Sequence, residues 1–277
     1  MPEGSILDFC NVSLQYEDVW ALKDVCLTLN PGETRIIFGE AGSGKTTLLK
    51  AVIGLIPVDK GQIKVFGEDI TAMKETELFG LRSRAGIVFQ EGGLFDSLTV
   101  GENVEYPLVN RQTVEHGNGT QDGGNVEGRV RDTLRFVELE HTYDKFPSEI
   151  SGGMRRRVGI ARAIVTEPPL VLYDSPTAGL DPITANTIMA LIAKERDVRN
   201  SASLIVTHRY QDGELMAGFR YDREHEELVP VTDERDPRRN RTKFIVMKEG
   251  GIVFFGTHEE LETSNDPYVR HFIKHEE

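Results

Sequence analysis

Short apolar runs that end in polar or glycine-rich loops dominate the middle of the chain. Such runs are typical of strands buried on both faces of a parallel sheet, and they occupy Thr34–Phe38, Leu170–Tyr173 and Ser203–Val206. The loops that follow them are Gly39–Gly44, Asp174-Ser175 and Thr207-His208. Since ligands bind beyond the carboxyl ends of strands in such a sheet, we expect the three loops to converge on one site.

Other parts of the chain show helical or alternating patterns. Helices are predicted over Lys45–Gly54, Met154–Thr166 and Pro182–Arg196, the last with a proline suited to a first helical turn. Ile6–Leu29 alternates apolar and polar residues, which predicts antiparallel strands. Residues 91–166 are mainly helical in pattern, notably from Thr99 onward, and are predicted to form a helical subdomain inserted into a single domain that spans residues 1–277.

Two segments differ in composition from the rest. His116–Gly128 is rich in Gly, Asn and Gln and is predicted to be a flexible loop. Phe219–Arg241 carries a dense mixture of charges between aromatic and β-branched residues, and we expect a charged surface insertion that can form a hairpin.

Composition narrows the class of protein. The chain has 277 residues, 39% of them hydrophobic, and a net charge of −13, which argues against binding to nucleic acid or to anionic lipid. The basic clusters Arg155–Arg157 and Arg238-Arg239 are interpreted as solvated faces or contacts to acidic neighbours. Cys10 and Cys26 lack metal-ligand spacing and are predicted to be small core residues. We see no signal peptide and no apolar run long enough to span a bilayer, so a cytoplasmic location is expected.

A glycine-rich segment after the first buried run predicts a phosphate-binding loop. Two glycines bracket four residues and precede Lys-Thr, in the order Gly39, Glu40, Ala41, Gly42, Ser43, Gly44, Lys45 and Thr46. Backbone N–H groups of such a loop cradle phosphate oxygens, the lysine contacts the outer phosphates, and the threonine hydroxyl ligates Mg²⁺. Thr47 follows at the start of the helix and is included among the candidate nucleotide contacts.

Two further positions complete the candidate site. Asp174 ends an apolar strand, where phosphate-loop enzymes carry a carboxylate that organises the metal. Ser151, Gly152 and Gly153 precede a long helix and form a second anion-binding helix terminus. Because one chain has no need of two sites for the same phosphate, the second terminus is interpreted as serving ATP bound to another copy.

These motifs resemble those of ABC (ATP-binding cassette) transporter nucleotide-binding domains over nearly the whole chain. Gly39–Thr46 resembles the Walker A motif, Ser151–Met154 the signature, and Asp174 the Walker B aspartate. The remaining motifs resemble the Q-loop at Phe89-Gln90, the D-loop at Ala178–Asp181 and the H-loop at Thr207-His208. Tyr16 matches the aromatic residue that stacks on adenine, and the alternative interpretation is an aromatic side chain packed within its strand.

The resemblance implies a fold, ligands and partners. The implied fold is a P-loop NTPase with a RecA-like parallel α/β core, an antiparallel β subdomain and a helical subdomain. The implied ligands are ATP and Mg²⁺, with Gln90 reaching the metal and sensing a transmembrane permease. A homodimer would close on ATP held between Lys45 of one copy and Ser151 of the other, with Asp181 near the nucleotide. This homodimer would lie at the inner face of the cell inner membrane.

Within this family the chain most resembles the Mla/Mce-type phospholipid transport ATPases. The phrases that carry the resemblance are Phe89–Val100, Asn103–Pro107, Ser148–Arg157 and Asp266–Phe272. They imply a partner permease and an Mce-type substrate-binding protein. The alternatives are an ATPase of an amino-acid or lipoprotein transporter, an ABC ATPase acting on DNA or ribosomes, and an inert docking subunit that binds ATP structurally.

One position departs from the family. Ser175 stands where these ATPases carry the glutamate that activates the attacking water, and losing a general base typically costs about 10²–10⁴-fold. Hydrolysis can be slow, another group can substitute, with His208 first and Glu91 a distant second, or the dimer can be a nucleotide gate that cycles rarely. A further interpretation is that the serine was introduced by engineering. Ser175 can also simply cap the local turn.

Overall fold

A computed structural model describes residues 4–90, 92–116, 125–232, 236 and 240–273, and gives only the course of the helix for 111–116. The strands are β1 (Leu7–Tyr16), β2 (Val19–Leu29), β3 (Thr34–Gly39), β4 (Lys60–Val65), β5 (Glu68–Asp69), β6 (Ala85–Val88), β7 (Leu170–Asp174), β8 (Ala202–Val206), β9 (Phe219–Asp222), β10 (Glu227–Pro230), β11 (Thr242–Lys248) and β12 (Gly251–Gly256). The helices are α1 (Lys45–Val52), α2 (Glu75–Arg82), α3 (Val100–His116), α4 (Val126–Phe136), α5 (Gly152–Ile164), α6 (Pro182–Arg199), α7 (Tyr210–Gly218), α8 (His258–Glu262) and α9 (Pro267–His271).

A six-stranded sheet with the order β12-β11-β3-β8-β7-β6 forms the centre of the molecule. Its pairings are parallel except that of β11 with β12. The three strands predicted from apolar runs are β3, β8 and β7, and they are neighbours in the middle of this sheet. Their nearly continuous hydrophobicity follows from that position, because both of their faces are covered.

Side chains of the central strands divide between two cores. Ile36 and Phe38 of β3 pack with α3–α7 on one face, whereas Ile37 packs with α1, α2 and the first strands on the other. The period of two along a strand produces this division. The sheet is therefore held between two apolar layers, and the three loops predicted to converge on a ligand follow its strands at the carboxyl edge.

A second sheet, antiparallel and ordered β2-β1-β4-β5, lies at the start of the chain. Alternation predicted its first two strands, but β4 and β5 were not predicted. The prediction that Cys10 and Cys26 are core residues is wrong, since both side chains are exposed. Phe9 and Leu27, which are paired across the two strands, face inward, so the cysteines next to them point outward.

The helices of the predicted helical subdomain, residues 91–166, are α3, α4 and α5, and they lie on one face of the central sheet. Helix α4 begins at Val126, because the Asn125 side chain accepts a hydrogen bond from the backbone N–H of Gly128 at 2.8 Å. The end of the segment predicted as a loop over His116–Gly128 is therefore helical, and His116 ends α3. Residues 117–124, the centre of that predicted loop, lie outside the described residues.

The predicted helix over residues 45–54 ends two residues early. Helix α1 stops at Val52, and Gly54 adopts φ +62°, where a Cβ would lie 2.7 Å from Leu78 Cδ2. Within Phe219–Arg241, β9 and β10 form an antiparallel hairpin in which Tyr221 is opposite Leu228. Arg238-Arg239 lies outside the described residues.

A fully buried asparagine shapes the loop that precedes α3. The Asn103 amide donates to the backbone oxygens of Phe95, Leu98 and Thr99 at 3.0, 3.1 and 2.9 Å, and its oxygen accepts from the Phe95 N–H at 2.8 Å. This one fully buried side chain thus makes four hydrogen bonds to the loop backbone and fixes the path of the loop.

We predict that Asn103→Ala lowers the free energy of unfolding by at least about 2 kcal/mol, because a fully buried side chain loses its four hydrogen bonds to the loop. Urea unfolding followed by circular dichroism measures the loss. Asn186→Ala, at an exposed position of α6, is the control and should change stability by no more than about 0.5 kcal/mol. Equal stability of the two variants would contradict the assignment of Asn103 as the support of this loop.

Candidate nucleotide-binding site

The loop between β3 and α1 is shaped by glycines that no other residue can replace. Gly44 has φ +103°, and a Cβ there would lie 2.2 Å from the Ala21 carbonyl oxygen. Gly39 has φ +152°, and a Cβ there would lie 2.5 Å from the Ser43 Oγ. The chain therefore turns tightly around small residues into the N-terminus of α1, an arrangement that suits a phosphate group in both geometry and polarity.

Lys45 lies over this loop. Its Nζ donates to the carbonyl oxygens of Gly39 and Glu40 at 2.8 and 2.7 Å, and to the Ser43 hydroxyl at 3.3 Å. Burial lowers the pKa of Lys45, and the carboxylates of Asp174 and Glu40 oppose that decrease. The charge is thus held at the mouth of the loop by contacts that define its position.

Thr46 and Asp174 meet beside the loop. The Thr46 hydroxyl donates to Asp174 Oδ2 at 3.4 Å, which joins the start of α1 to the end of β7. A hydroxyl and a carboxylate are oxygen ligands that Mg²⁺ accepts, and Mg²⁺ commonly takes few protein ligands besides phosphate oxygens and water. The donor set therefore fits magnesium.

Ser175 follows Asp174 in a strained backbone conformation. Its φ is +51°, a left-handed value that few non-glycine residues adopt, and its side chain is buried. The backbone N–H donates to the Val206 carbonyl at 2.9 Å, and the hydroxyl donates to Asp174 Oδ1 at 3.3 Å. The hydroxyl therefore contacts the Asp174 carboxylate rather than a backbone group, whereas the Ser175 carbonyl closes a turn with Ala178 N–H at 3.1 Å.

His208 and Gln90 reach the same edge of the sheet. His208 follows β8, and desolvation together with the Lys45 charge lowers its pKa, against the opposing effect of Asp174. Both effects favour the neutral form of the imidazole. Gln90 is exposed two residues after β6, the strand next to β7. Glu91, the second candidate for a substitute base, lies outside the described residues.

The second helix terminus is not part of this cluster. The Ser151 hydroxyl caps α5 by accepting from Met154 N–H at 3.2 Å. With Gly152 and Gly153 it lines a groove of about 390 Å³ whose other side is formed by Gly179–Asp181. None of the described residues that line this groove belongs to the phosphate loop. Asp181 caps α6, accepting from the N–H groups of Ile183 and Thr184 at 3.1 and 3.0 Å.

The arginines after the signature residues serve internal contacts. Arg155 donates to the Ile150 carbonyl at 2.7 Å, and Arg157 to the Val137 carbonyl at 3.3 Å. Arg156 is buried and donates to the Ala178 carbonyl at 3.0 Å. Their partners are mainly backbone oxygens, so this cluster fixes α5 to its surroundings.

Two tyrosines lie near the site in different ways. Tyr16 ends β1 with 53% of its surface exposed, so its ring is free to stack on a base and is not a packed core aromatic. Tyr268 of α9 was not predicted as a site residue. Its hydroxyl accepts from the Glu40 backbone N–H at 3.5 Å and donates to the Met247 carbonyl at 3.1 Å. Only the fold reveals this contact, since 228 residues separate the tyrosine from the loop.

Comparison with known sequences identifies relatives. The sequence model described as ABC transporter matches residues 22–178. A probable ribonucleotide transport ATP-binding protein, mkl, of Mycobacterium leprae is 32% identical over 273 residues, covering 99% of this chain and 70% of the relative. The methionine import ATP-binding protein MetN of Corynebacterium efficiens is 39% identical over 191 residues, covering 69% of this chain and 51% of that protein. The chain thus spans between 51% and 70% of the length of these two relatives.

Solved structures agree with the fold. A dimeric post-hydrolysis state of the ATP-binding cassette MJ0796, bound to ADP and Pi, superposes with a TM-score of 0.73 at 28% identity, covering 91% of this chain and 98% of that one. CbiO1 of Clostridium perfringens, part of the transporter complex cbiONQ, superposes with a TM-score of 0.76 at 27% identity, covering 95% and 92%. The predicted P-loop NTPase fold is therefore confirmed.

Proposed function

The chain belongs to the ABC transporter family, and on that premise we propose that it is the ATP-binding subunit of a transporter, working as a homodimer beneath a membrane permease. ATPases of this family bind ATP with Mg²⁺, and the loop before α1 is the part of this chain that suits the phosphates. The proposal extends to residues 1–277 as one ATPase domain, with 91–166 as its helical subdomain. Each helix in the described part of the chain is too short or too polar to cross a bilayer.

The observation that carries the proposal is the separation of two anion-binding helix termini on one chain. Lys45 lies at α1, whereas Ser151 lies at α5, in a groove that contains no residue of the phosphate loop. A second copy turned head to tail brings the α5 terminus of one chain to the α1 terminus of the other. ATP then bridges two chains, and its binding energy supports closure of the dimer.

Each residue of the composite site has a role in this proposal. Backbone N–H groups of Gly39–Gly44 orient the phosphates, Lys45 offsets their charge, and Tyr16 stacks on the adenine. Thr46, Asp174 and Gln90 would hold Mg²⁺, which would neutralise charge on the phosphate oxygens. Thr47 completes the contacts at the start of α1. Ser151, Gly152, Gly153 and Asp181 of the other copy close the site.

Catalysis depends on what occupies the position after Asp174. A serine hydroxyl is not basic near pH 7, and here it is buried against Asp174. The neutral His208 is the described group best suited to accept a proton from water. We propose slow hydrolysis, so that ATP holds the dimer closed for long periods. The second candidate function, a docking subunit that binds ATP without turnover, rests on this same serine.

We predict that Ser175→Glu raises kcat for ATP hydrolysis by about 10²-fold or more, the typical contribution of a positioned general base. KM should change little, because the new carboxylate acts on water and leaves the phosphate contacts of Lys45 intact. Steady-state turnover measured with and without detergent-solubilised permease tests this. Ser175→Gln is the matched control, since it has similar size without basicity, and it should stay at the parent rate.

Two results would count against this account of catalysis. A parent chain that already turns over at about 10 per second has another base, and His208→Ala should then abolish its activity. If Ser175→Glu leaves turnover negligible even with the permease, the docking subunit becomes the better account.

A groove beside Gln90 suits the permease. It has a volume of about 670 Å³, and its walls carry half-exposed aromatic side chains: Phe79, Phe89, Phe95 and Tyr106. Arg162 anchors its floor by donating to the Gly93 and Gly92 carbonyls at 2.8 and 2.9 Å. An amphipathic segment of a permease would cover these rings and report its position to the adjacent Gln90. The chain would then lie on the inner face of the cell inner membrane.

Phospholipid is the proposed cargo, moved by a system of the Mla/Mce type with an Mce-type binding protein. This proposal is supported by the resemblance of two segments, Phe89–Val100 and Ser148–Arg157, to the Mla/Mce-type ATPases. The relatives compared above bear other names, for ribonucleotide and methionine transport, so the family alone leaves the cargo open between lipid and amino-acid types.

The genes beside this one test the proposed cargo directly. We predict an adjacent permease gene and an adjacent gene for an Mce-type protein, because subunits of one transporter are needed together. Sequencing the locus decides the matter. A neighbouring gene for an amino-acid-binding protein would contradict the lipid assignment while leaving the ATPase assignment intact.

A further inference from the structure

A buried carboxylate joins the loops that follow β7 and β8. Asp212 of α7 is 1% exposed, and its Oδ2 accepts from the hydroxyls of Thr177 at 2.6 Å and Thr207 at 2.5 Å. Its other oxygen, Oδ1, accepts from Arg209 at 3.0 Å. All four side chains lie behind the candidate site, and among them only Thr207 belongs to a motif predicted from the sequence, the H-loop Thr207-His208.

The two threonines lie next to residues of the candidate site. Thr177 lies between Ser175 and Gly179, where the loop passes from the catalytic position to the signature groove. Thr207 directly precedes His208. A backbone hydrogen bond from Ser175 to Val206 at 2.9 Å joins the same two loops closer to the sheet. The side-chain bridge through Asp212 therefore extends a pairing that the strands begin.

The helix that carries Asp212 is closely seated on the sheet. A Cβ at Gly213 would lie 2.5 Å from the Phe244 ring, so only glycine allows α7 this approach. Tyr210, one turn earlier, is buried, and its hydroxyl is 2.8 Å from His258 Nε2. Asp212 is thus held in place by α7, and it fixes the positions of Thr177 and Thr207 in the loops after β7 and β8.

A further contact carries the connection to α5. Arg156 donates to the Ala178 carbonyl at 3.0 Å, and Ala178 is adjacent to Thr177. Polar contacts thus run from the signature helix through the loop after β7 to Asp212, and from there to the residue before His208. Hydrogen bonds to a charged group are about twice as strong as those between neutral groups, so this path is stiff.

We propose that Asp212 is a positioning residue that makes the loop after β7 and the loop after β8 move as one unit, and so couples the signature groove to the site at Lys45 and Asp174. The inference rests on the proposed function, since the groove acts only when a second copy brings its ATP. Binding of ATP at the phosphate loop of a single chain does not require the bridge, whereas closure of the dimer does.

Both threonine hydroxyls donate to the same oxygen of Asp212, so the effects of removing them should not add. Removal of either hydroxyl frees one loop, so the second removal adds little. Independent stabilising contacts would instead add. Thr177→Val and Thr207→Val each keep the branched shape and remove only the hydroxyl.

The test measures two constants for the full chain: ATP affinity by calorimetry, and Mg-ATP-dependent dimerisation by light scattering. We expect Thr177→Val, Thr207→Val and the double variant each to weaken dimerisation about tenfold, the typical effect of losing a hydrogen bond to a charged group. ATP affinity should stay within about twofold. Asp212→Ala should match the double variant if it folds. Thr133→Val is the control, because that buried hydroxyl bonds only its own helix at Arg129 O, 2.8 Å away.

Three results would overturn the inference. Variants that dimerise like the parent show that the bridge is dispensable, and threonine effects that add show that the hydroxyls act separately. ATP affinity that falls in step with dimerisation shows a general structural role. A parent chain that never dimerises with Mg-ATP is a different failure, since it removes the proposed function itself.

Discussion

Parallel pairing of β6, β7, β8 and β3 is the constraint on which the whole site depends. Because these strands run the same way and are adjacent, their carboxyl ends meet at one edge of the sheet. Lys45, Asp174 and His208 come from loops far apart in the chain, and this pairing alone brings their charges within mutual influence. The apolar cores on both faces hold the strands in register, so packing energy is what sustains the electrostatic arrangement.

In the proposed dimer, one copy of the chain holds only half of each ATP site. Its α5 terminus, with Ser151, opens into a groove formed with the loop after β7, and that groove is separate from the phosphate loop. A second copy supplies the missing half of each site in the proposed dimer. Ser175 adds a chemical consequence, since a closed site without a strong base would hold ATP for long periods rather than hydrolyse it promptly.

Much of the fold could be predicted from the sequence because buried parallel strands are mainly apolar and end in distinctive loops. The six-residue β3 and the glycine turn after it are of this kind. Residues 85–88 were not predicted as a strand, since β6 is short and its stabilisation comes from pairing with β7. Cys10 and Cys26 were misplaced because burial of a small residue depends on which face of a strand it occupies, and that face follows from pairing. Tyr268 contacts Glu40 across 228 residues and Asp212 contacts Thr177 across 35, and one sequence offers no signal for such contacts.

Mixing two inactive variants tests the shared ATP site most directly. Lys45→Ala damages the phosphate loop of its own chain, whereas Ser151→Arg blocks the groove that serves the other chain. Neither variant alone should dimerise with Mg-ATP. An equimolar mixture should restore ATP-dependent heterodimers, because one of the two composite sites then contains an intact Lys45 and an intact Ser151 while the other carries both lesions. Light scattering, with one variant fluorescently labelled, measures this. A mixture that stays monomeric would contradict the head-to-tail account if the unaltered chain dimerises under the same conditions, and so would either variant dimerising with ATP by itself.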